Sequence, residues 1–134
     1  MRKIGLSVCL LTLISLSESM AQERPRITGF FSDMRLIPEN GDLLGTEIWI
    51  VYARNRHWAT VQLAEGEPGK PLVVPVEVTG TKIRFTFPLE LYHSDGSRAP
   101  DRLFRFEGEV SRAGLAGMFN GNPVLLKRRQ SFWQ

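Results

Sequence analysis

Short apolar stretches alternate with polar turn clusters along residues 22–134 of the chain. The stretches are rich in Val, Ile, Phe, Thr and Trp, and no window repeats apolar residues at the three-and-four spacing of a helix. Seven turn clusters separate them: "ENGD", "RNRH", "EGEPGKP", "TGTK", "HSDGSRAPD", "SRAG" and "NGNP". The pattern predicts about eight short strands in an antiparallel meander.

The stretch "VPVEVTGTKIRFTF" predicts a hairpin with a two-residue loop at Gly80 and Thr81. This register places Glu77 opposite Arg84, an attractive cross-strand pair on the outer face. The inward pairs would be Val78 with Ile83, Val76 with Phe85 and Val74 with Phe87. Pro75 has no N–H to offer the next strand, so we expect a bulge or a splay at that position.

The stretch "WIVYARNRHWATV" predicts a second hairpin, with Asn55 and Arg56 at its tip. The expected pairs are Arg54 with His57, Tyr52 with Ala59, Ile50 with Val61 and Ile48 with Leu63. Apolar residues also dominate the opposite face, which carries Trp49, Val51, Ala53, Trp58, Thr60 and Gln62. A strand pair that is apolar on both sides is expected to be covered on both sides.

About eight antiparallel strands with one apolar face favour a small up-and-down β-barrel, because closure removes the exposed sheet edges. A two-sheet β-sandwich is the alternative. Seven aromatic residues are predicted to point inward: Tyr52, Phe85, Phe87, Phe104, Phe106, Phe30 and Phe119. This number of rings favours an interior packed with its own side chains over an interior that holds a ligand.

The first 21 residues have the pattern of a cleavable secretory signal peptide. Arg2 and Lys3 precede an apolar run over residues 4–16, and Ser19 and Ala21 are small residues placed for cleavage before Gln22. The apolar run is shorter than the roughly 20 residues that span a bilayer. We therefore expect a secreted or periplasmic protein with one domain over residues 22–134. An N-terminal anchor that is never cleaved is the alternative.

Charge and cysteine content exclude several classes of function. The chain has 17 basic and 14 acidic residues, a balance that does not suit a dedicated nucleic-acid binder. The single cysteine, Cys9, lies inside the leader, so the mature chain is expected to have no disulfide and no thiolate chemistry. No cofactor is expected, and no later stretch is apolar enough for a transmembrane helix.

Several longer phrases carry a resemblance. They are "GDLLGTEIWIVYARNRHWATVQLAEG", "VVPVEV", "FRFEGEVSRAGLAGMF" and the ending "SFWQ". Together they resemble an uncharacterised family of small secreted bacterial proteins, which implies export but no particular activity. The architecture is more loosely similar to lipocalins and avidins, whose first strand opens with a glycine, one residue and an aromatic, as Gly29, Phe30 and Phe31 do here.

Four candidate chemistries are weaker than their structural alternatives. His93, Ser94 and Asp95 have the residue types of a hydrolase triad, but adjacent positions do not converge as a triad must. His57 and His93 lack the short spacing of metal ligands. Asp33 and Arg35 are expected to form an outward ion pair. A polyanion such as phosphate or lipopolysaccharide could bind the basic run at residues 127–129 together with Arg54 and Arg56, although alternation should divide that run between two faces.

The outer apolar stripe with Trp49 and Trp58 is the remaining candidate. Its cover is expected to be the tail with Phe132 and Trp133, with a second copy of the chain or another partner as alternatives. The leading hypothesis is a non-enzymatic binding module for a small apolar or amphipathic ligand or a protein partner. The candidate contact residues are Trp49, Tyr52, Arg54, His57 and Trp58. The competing hypothesis is a structural or self-associating envelope protein with a solid interior.

Overall fold

The computed structural model describes residues 25–89, 95–99 and 102–134, so the predicted leader lies outside the described residues. These residues form no helix and nine antiparallel strands. The strands are β1 (Gly29–Ser32), β2 (Arg35–Leu36), β3 (Leu43–Ala53), β4 (Arg56–Gly66), β5 (Leu72–Thr79), β6 (Lys82–Leu89), β7 (Arg102–Val110), β8 (Gly114–Phe119) and β9 (Asn122–Arg128).

Strand β1 closes the sheet, because it pairs with β3 on one side and with β9 on the other. From β3 to β9 each strand pairs with the next one along the chain, as in an up-and-down meander. The result is a closed eight-stranded barrel, with the short β2 as an additional strand beside β3. The prediction of a small antiparallel barrel is confirmed, and the sandwich alternative is wrong.

The β5–β6 hairpin has the predicted register. Glu77 pairs with Arg84 and Thr79 pairs with Lys82 across the turn at Gly80, whose φ is 62°. The ladder between the two strands stops at Glu77, two residues before Pro75 is reached. The missing proline N–H explains the end of the pairing, and the predicted splay is confirmed. A groove of about 360 Å³ lies between β5 and β6 where their pairing ends.

The β3–β4 hairpin differs from its predicted register by two residues. Its turn is at Arg54 and Asn55, so that Ala53 pairs with Arg56 and Tyr52 pairs with His57. Arg54 and Asn55 have φ values of 52° and 62°, and positive φ at both central positions is the requirement of a type I′ turn. A strand repeats every two residues, so both registers bury the same face, and the apolar pattern alone could not separate them.

The barrel's first strand is divided into β1 and β2 at Asp33. The Asp33 N–H donates to the Thr46 carbonyl at 3.1 Å, and the Thr46 N–H donates to the Asp33 carboxylate at 2.6 Å. A side-chain oxygen thus takes the place of a backbone carbonyl at this point of the ladder. Asp33 is held by this backbone partner instead of by the predicted outward ion pair with Arg35.

The two phenylalanines of β1 point in opposite directions. Phe31 is fully buried inside the barrel, whereas Phe30 lies outside and stacks on Trp49, with ring centroids 5.1 Å apart and planes 7° from parallel. The expectation that Phe30 points inward is therefore wrong. Tyr52 has the inward alternation of Ile50, but it lies at the barrel rim and is 60 % exposed.

Aromatic rings fill the barrel interior. Phe106 is fully buried and stacks on Phe85 at 5.1 Å. It also lies across two facing glycines: a Cβ on Gly108 would come within 2.7 Å of the Phe106 ring, and a Cβ on Gly117 within 2.9 Å. The ring thus occupies the space that those two side chains would need. Toward the other end of the barrel, Phe87, Phe104 and Phe119 pack against one another at centroid distances of 5.6 to 5.7 Å.

Candidate functional site

A groove opens at the rim of the barrel beside the end of β3. Pairing between β1 and β3 stops where Gly29 meets Ile50, but β3 continues for three more residues to Ala53. The groove occupies about 460 Å³. Its lining residues are Arg26, Thr28, Gly29, Trp49, Ile50, Val51 and Tyr52. We call this depression the rim groove.

Arg128 gives the rim groove its shape. Its guanidinium donates to the Thr28 carbonyl at 3.0 Å and also to the Arg26 carbonyl, which holds the segment before β1 toward β9. The same group lies 4.6 Å from the centre of the Phe31 ring, a cation–π arrangement. Gly29 has no side chain at the point where a Cβ would come within 2.7 Å of this guanidinium.

Two arginines, Arg26 and Arg128, contribute positive charge beside the rim groove. Partial burial lowers the pKa of Arg128 from its ordinary value, and the nearby charge of Arg26 lowers that pKa further. An arginine remains a cation throughout the physiological range. The described lining of the rim groove contains the cation Arg26 and no carboxylate. The site is therefore electropositive at one side and aromatic at the other.

The five candidate contact residues are only partly brought together. Trp49 and Tyr52 line the rim groove. His57 packs edge-on against Tyr52, with ring centroids 4.9 Å apart, because the two residues are paired across β3 and β4. Arg54 lies exposed in the turn above them.

Trp58 belongs to a different environment. It lies opposite Val51 on the outer face of the barrel and is not among the residues that line the rim groove. Its indole N–H donates to the Ala53 carbonyl at 3.2 Å, and the Arg56 guanidinium lies 5.1 Å from the ring centre. The hairpin itself therefore satisfies and partly covers Trp58.

The C-terminal tail lies on the same outer face as Trp49. It is held at Glu47, which is two residues before Trp49 on β3. The Ser131 hydroxyl and the Phe132 N–H donate to the two carboxylate oxygens of Glu47, at 2.7 and 2.8 Å. The Trp133 indole N–H donates to the side chain of Gln62, the residue opposite Glu47 on β4, at 2.9 Å. Glu47 is only 6 % exposed, whereas Trp49 is 43 % exposed and has Phe30 as its stacking partner.

Charged residues dominate the barrel wall around β5, β6 and β7. A broad surface depression there is lined by Glu77, Lys82, Arg84, Glu107 and Glu109, among others. An ion pair in this depression joins Arg84 Nε to a Glu77 carboxylate oxygen at 2.5 Å, and both side chains are about two-thirds exposed. Exposed ion pairs of this kind contribute little to stability.

The hydrolase and metal hypotheses gain no support from the described residues. His93 and Ser94 lie outside them. Asp95 accepts hydrogen bonds from the Ser97 hydroxyl at 2.6 Å and the Ser97 N–H at 2.9 Å, and these bonds hold its carboxyl pKa below the ordinary value of 3.8. This geometry is that of a polar turn. Within the described ranges, no group of three His, Cys, Asp or Glu residues is placed to hold a metal ion.

Sequence reasoning did not place Arg26 and Thr28 at the site, and it considered Arg128 only as part of the basic run proposed to bind a polyanion. Arg26 and Thr28 precede the first strand, where no periodic pattern exists to place them. Arg128 is part of the basic run at residues 127–129, and alternation did divide that run as expected. Lys127 is exposed on the outer face, whereas Arg128 lies at the inner side of the rim. Arg128 could have been identified because it is two residues from Leu126 on the same strand. Its side chain is therefore on the face of β9 that carries the buried Leu126.

Comparison with known proteins adds no relative: no known family, curated protein or solved structure matches this chain. The described residues contain no helix that is long and apolar enough to cross a membrane. The class is therefore defined by the fold and the site alone. It is a small closed β-barrel with an aromatic interior and an aromatic, cationic groove at its rim.

Proposed function

We propose that this chain is an exported, non-enzymatic binding module that takes a small amphipathic molecule with an anionic group in the rim groove. The observation that carries the proposal is the composition of the groove, whose lining includes Trp49 and Tyr52 from β3 and Arg26 from the segment before β1. Export rests on the leader pattern in the sequence. Aromatic rings beside a placed charged or polar group are a common feature of small-molecule sites.

The residues of the groove have distinct roles in this proposal. The rings of Trp49 and Tyr52 offer rigid apolar contact surface at a small cost in conformational entropy. Arg26 and Arg54 attract the anionic group, and His57 supports the position of Tyr52 through their ring contact. The groove is an open depression of about 460 Å³, so a ligand bound there would keep one side in contact with solvent. The packed interior favours this rim location over a site inside the barrel.

A fluorescence titration with two probes tests the proposal. Anilinonaphthalene sulfonate carries an anionic group on an aromatic skeleton, and phenylnaphthylamine has nearly the same skeleton without the charge. The sulfonate should bind more tightly, and Arg26→Gln should remove most of that difference because the charge contribution is lost. Tyr52→Ala should weaken the binding of both probes by roughly tenfold, about 1.4 kcal/mol.

Leu103→Ala is the matched control, because Leu103 is 69 % exposed and lies on β7, away from the groove. It should leave both affinities unchanged. Equal binding of the two probes, or the same affinities in Tyr52→Ala as in the parent chain, would count against the rim groove as the site.

The second candidate function is a self-associating envelope protein. The packed interior and the exposure of Val73 and Trp49 on one outer face favour it, since exposed apolar surface often marks an interface. Light scattering on the purified chain separates the two candidates. A dimer that dissociates when Trp49 is changed to Ser supports self-association, and a monomer over the accessible concentration range refutes it.

A further inference from the structure

Four aromatic rings lie on one outer side of the barrel. Phe30 and Trp49 are stacked there, and Trp49 is paired with Thr60 on β4. The tail adds Phe132 and Trp133, which pack edge-on at 5.2 Å. Trp133 is held by Gln62, which is two residues from Thr60 on the same strand, a spacing of roughly 7 Å. We call Phe30, Trp49, Phe132 and Trp133 the outer aromatic face.

The outer aromatic face is exposed to solvent to an unusual degree for rings of this size. Trp49 and Trp133 are 43 % and 54 % exposed, and Phe132 is 36 % exposed. The hydrogen bonds of the tail hold the last two rings outward, because they fix the backbone of Phe132 to Glu47 and the indole of Trp133 to Gln62. The exposure is thus imposed by the fold.

Three exposed basic side chains lie beside these rings: Arg26, Lys127 and Arg129. The Arg129 N–H donates to the Phe30 carbonyl, and the Arg129 guanidinium donates to the Met34 carbonyl at 3.1 Å. Arg26 lies in the groove beside Trp49, and Lys127 is paired with Ser32, the next outward residue of β1 after Phe30. None of the three forms an ion pair with a described acidic residue. The acidic residue within the face, Glu47, is buried and directs both oxygens to the tail.

We propose that the outer aromatic face docks on the surface of an anionic lipid bilayer. Tryptophan prefers the boundary between headgroups and acyl chains, where its ring is apolar and its edge is polar. Basic residues beside the rings are attracted to anionic headgroups over about one Debye length. A second copy of the chain suits the face less well, because a two-fold axis would bring the three basic groups of each copy near those of the other.

Vesicle flotation tests this docking, with a chain that begins at Gln22 and retains every strand. The chain should float with vesicles of phosphatidylcholine and phosphatidylglycerol, bind vesicles of phosphatidylcholine alone much more weakly, and lose binding as the NaCl concentration rises. The double variant Phe132→Ala/Trp133→Ala should bind the anionic vesicles at least about tenfold more weakly. The double variant Lys127→Gln/Arg129→Gln should show a much smaller preference for anionic lipid, with only Arg26 left beside the rings.

The matched control is Leu103→Ala/Met118→Ala, which removes exposed apolar side chains from β7 and β8 on another side of the barrel. It should bind like the parent chain, and a loss as large as that of the tail variant would overturn the proposal. Trp133 alone can be followed in the variant Trp49→Phe/Trp58→Phe. Lipids brominated near the headgroup should quench its fluorescence, and unquenched emission in the presence of bound vesicles would refute contact through this face.

Two further outcomes decide between occupants. A parent chain that stays in solution with anionic vesicles but forms a dimer through the outer aromatic face assigns the face to a second copy and overturns the membrane proposal. Trp49 and Arg26 belong to both sites, but Phe132 and Trp133 are not among the groove residues, and Tyr52 is not part of the outer aromatic face. Tyr52→Ala should therefore weaken probe binding and leave vesicle binding intact, which keeps the two proposals separable.

Discussion

Arg128 links the first and last strands of the barrel through one side chain. Its guanidinium lies over the Phe31 ring and donates to two backbone carbonyls, those of Thr28 and Arg26. A planar group with several fixed donors can satisfy a ring and two carbonyls at the same time, whereas a lysine ammonium cannot match that geometry. The residue thus positions the segment that forms one wall of the rim groove.

Arg128→Lys should lower the free energy of unfolding by about 1–3 kcal/mol, because the charge stays while the second carbonyl and the ring contact are lost. Urea unfolding followed by circular dichroism measures this change. Lys127→Ala, the exposed neighbour, should cost under about 0.5 kcal/mol. Equal costs for the two variants would contradict the role given to Arg128.

At the residue scale, the sequence predicted which neighbouring side chains point to opposite faces better than it predicted which of them points into the barrel. It placed Lys127 and Arg128 on different faces, which the structure confirms, but it gave no means to decide that Phe31 rather than Phe30 points inward. Two adjacent phenylalanines are equally apolar, and the partner that makes Phe30 useful outside, Trp49, lies 19 residues away. A contact between distant strands cannot be seen in the local pattern.

Among the elements, the C-terminal tail has the least regular structure and a well-defined anchor. Residues 131–133 supply three donors to Glu47 and Gln62 on the outer side of β3 and β4. Glu47 is a buried carboxylate, and a buried charge is costly unless donors surround it. The tail therefore satisfies a group that the barrel itself leaves on its outer face.

A chain that ends at Gln130 should be less stable by about 1–3 kcal/mol, because the Glu47 carboxylate loses the donors of Ser131 and Phe132. The same truncation in a Glu47→Leu background should cost less, since no carboxylate is then left without donors. Thermal and urea unfolding of the four chains in this cycle measures the coupling. Equal losses in both backgrounds would show that the tail stabilises the barrel by some other contact.

The two hairpins show why the register of β5–β6 was predicted correctly and the register of β3–β4 was not. In β5–β6, Gly80 marks the turn and the pair of Glu77 with Arg84 marks the outer face, so one register satisfied both constraints. In β3–β4 the tip offers only Arg54, Asn55 and Arg56, without a glycine, and both faces are apolar. Two registers then satisfy the pattern equally well, and the twist of the strands, which favours the type I′ turn at Arg54 and Asn55, decides between them.

For the whole molecule, the regular spacing of the turns led to the prediction of a closed barrel. The number of aromatic residues led to the prediction that side chains pack its interior. The prediction of a barrel and the preference for a filled interior came from the sequence. The location of the candidate site could not be predicted from the sequence. The rim groove lies where β3 continues beyond the end of its pairing with β1, and where Arg128 holds residues 26–28 toward β9. Strand ends and side-chain anchors of this kind depend on the assembled barrel.

Amide chemical-shift mapping with anilinonaphthalene sulfonate tests most directly whether this barrel binds at its rim rather than in its interior. We expect the largest shift changes at the amides of Thr28, Gly29, Val51 and Tyr52, which border the rim groove. The amides of Phe87, Phe104 and Phe119, whose rings pack inside the barrel, should change little. Shift changes centred on those three phenylalanines would instead place the ligand in the interior and contradict the account.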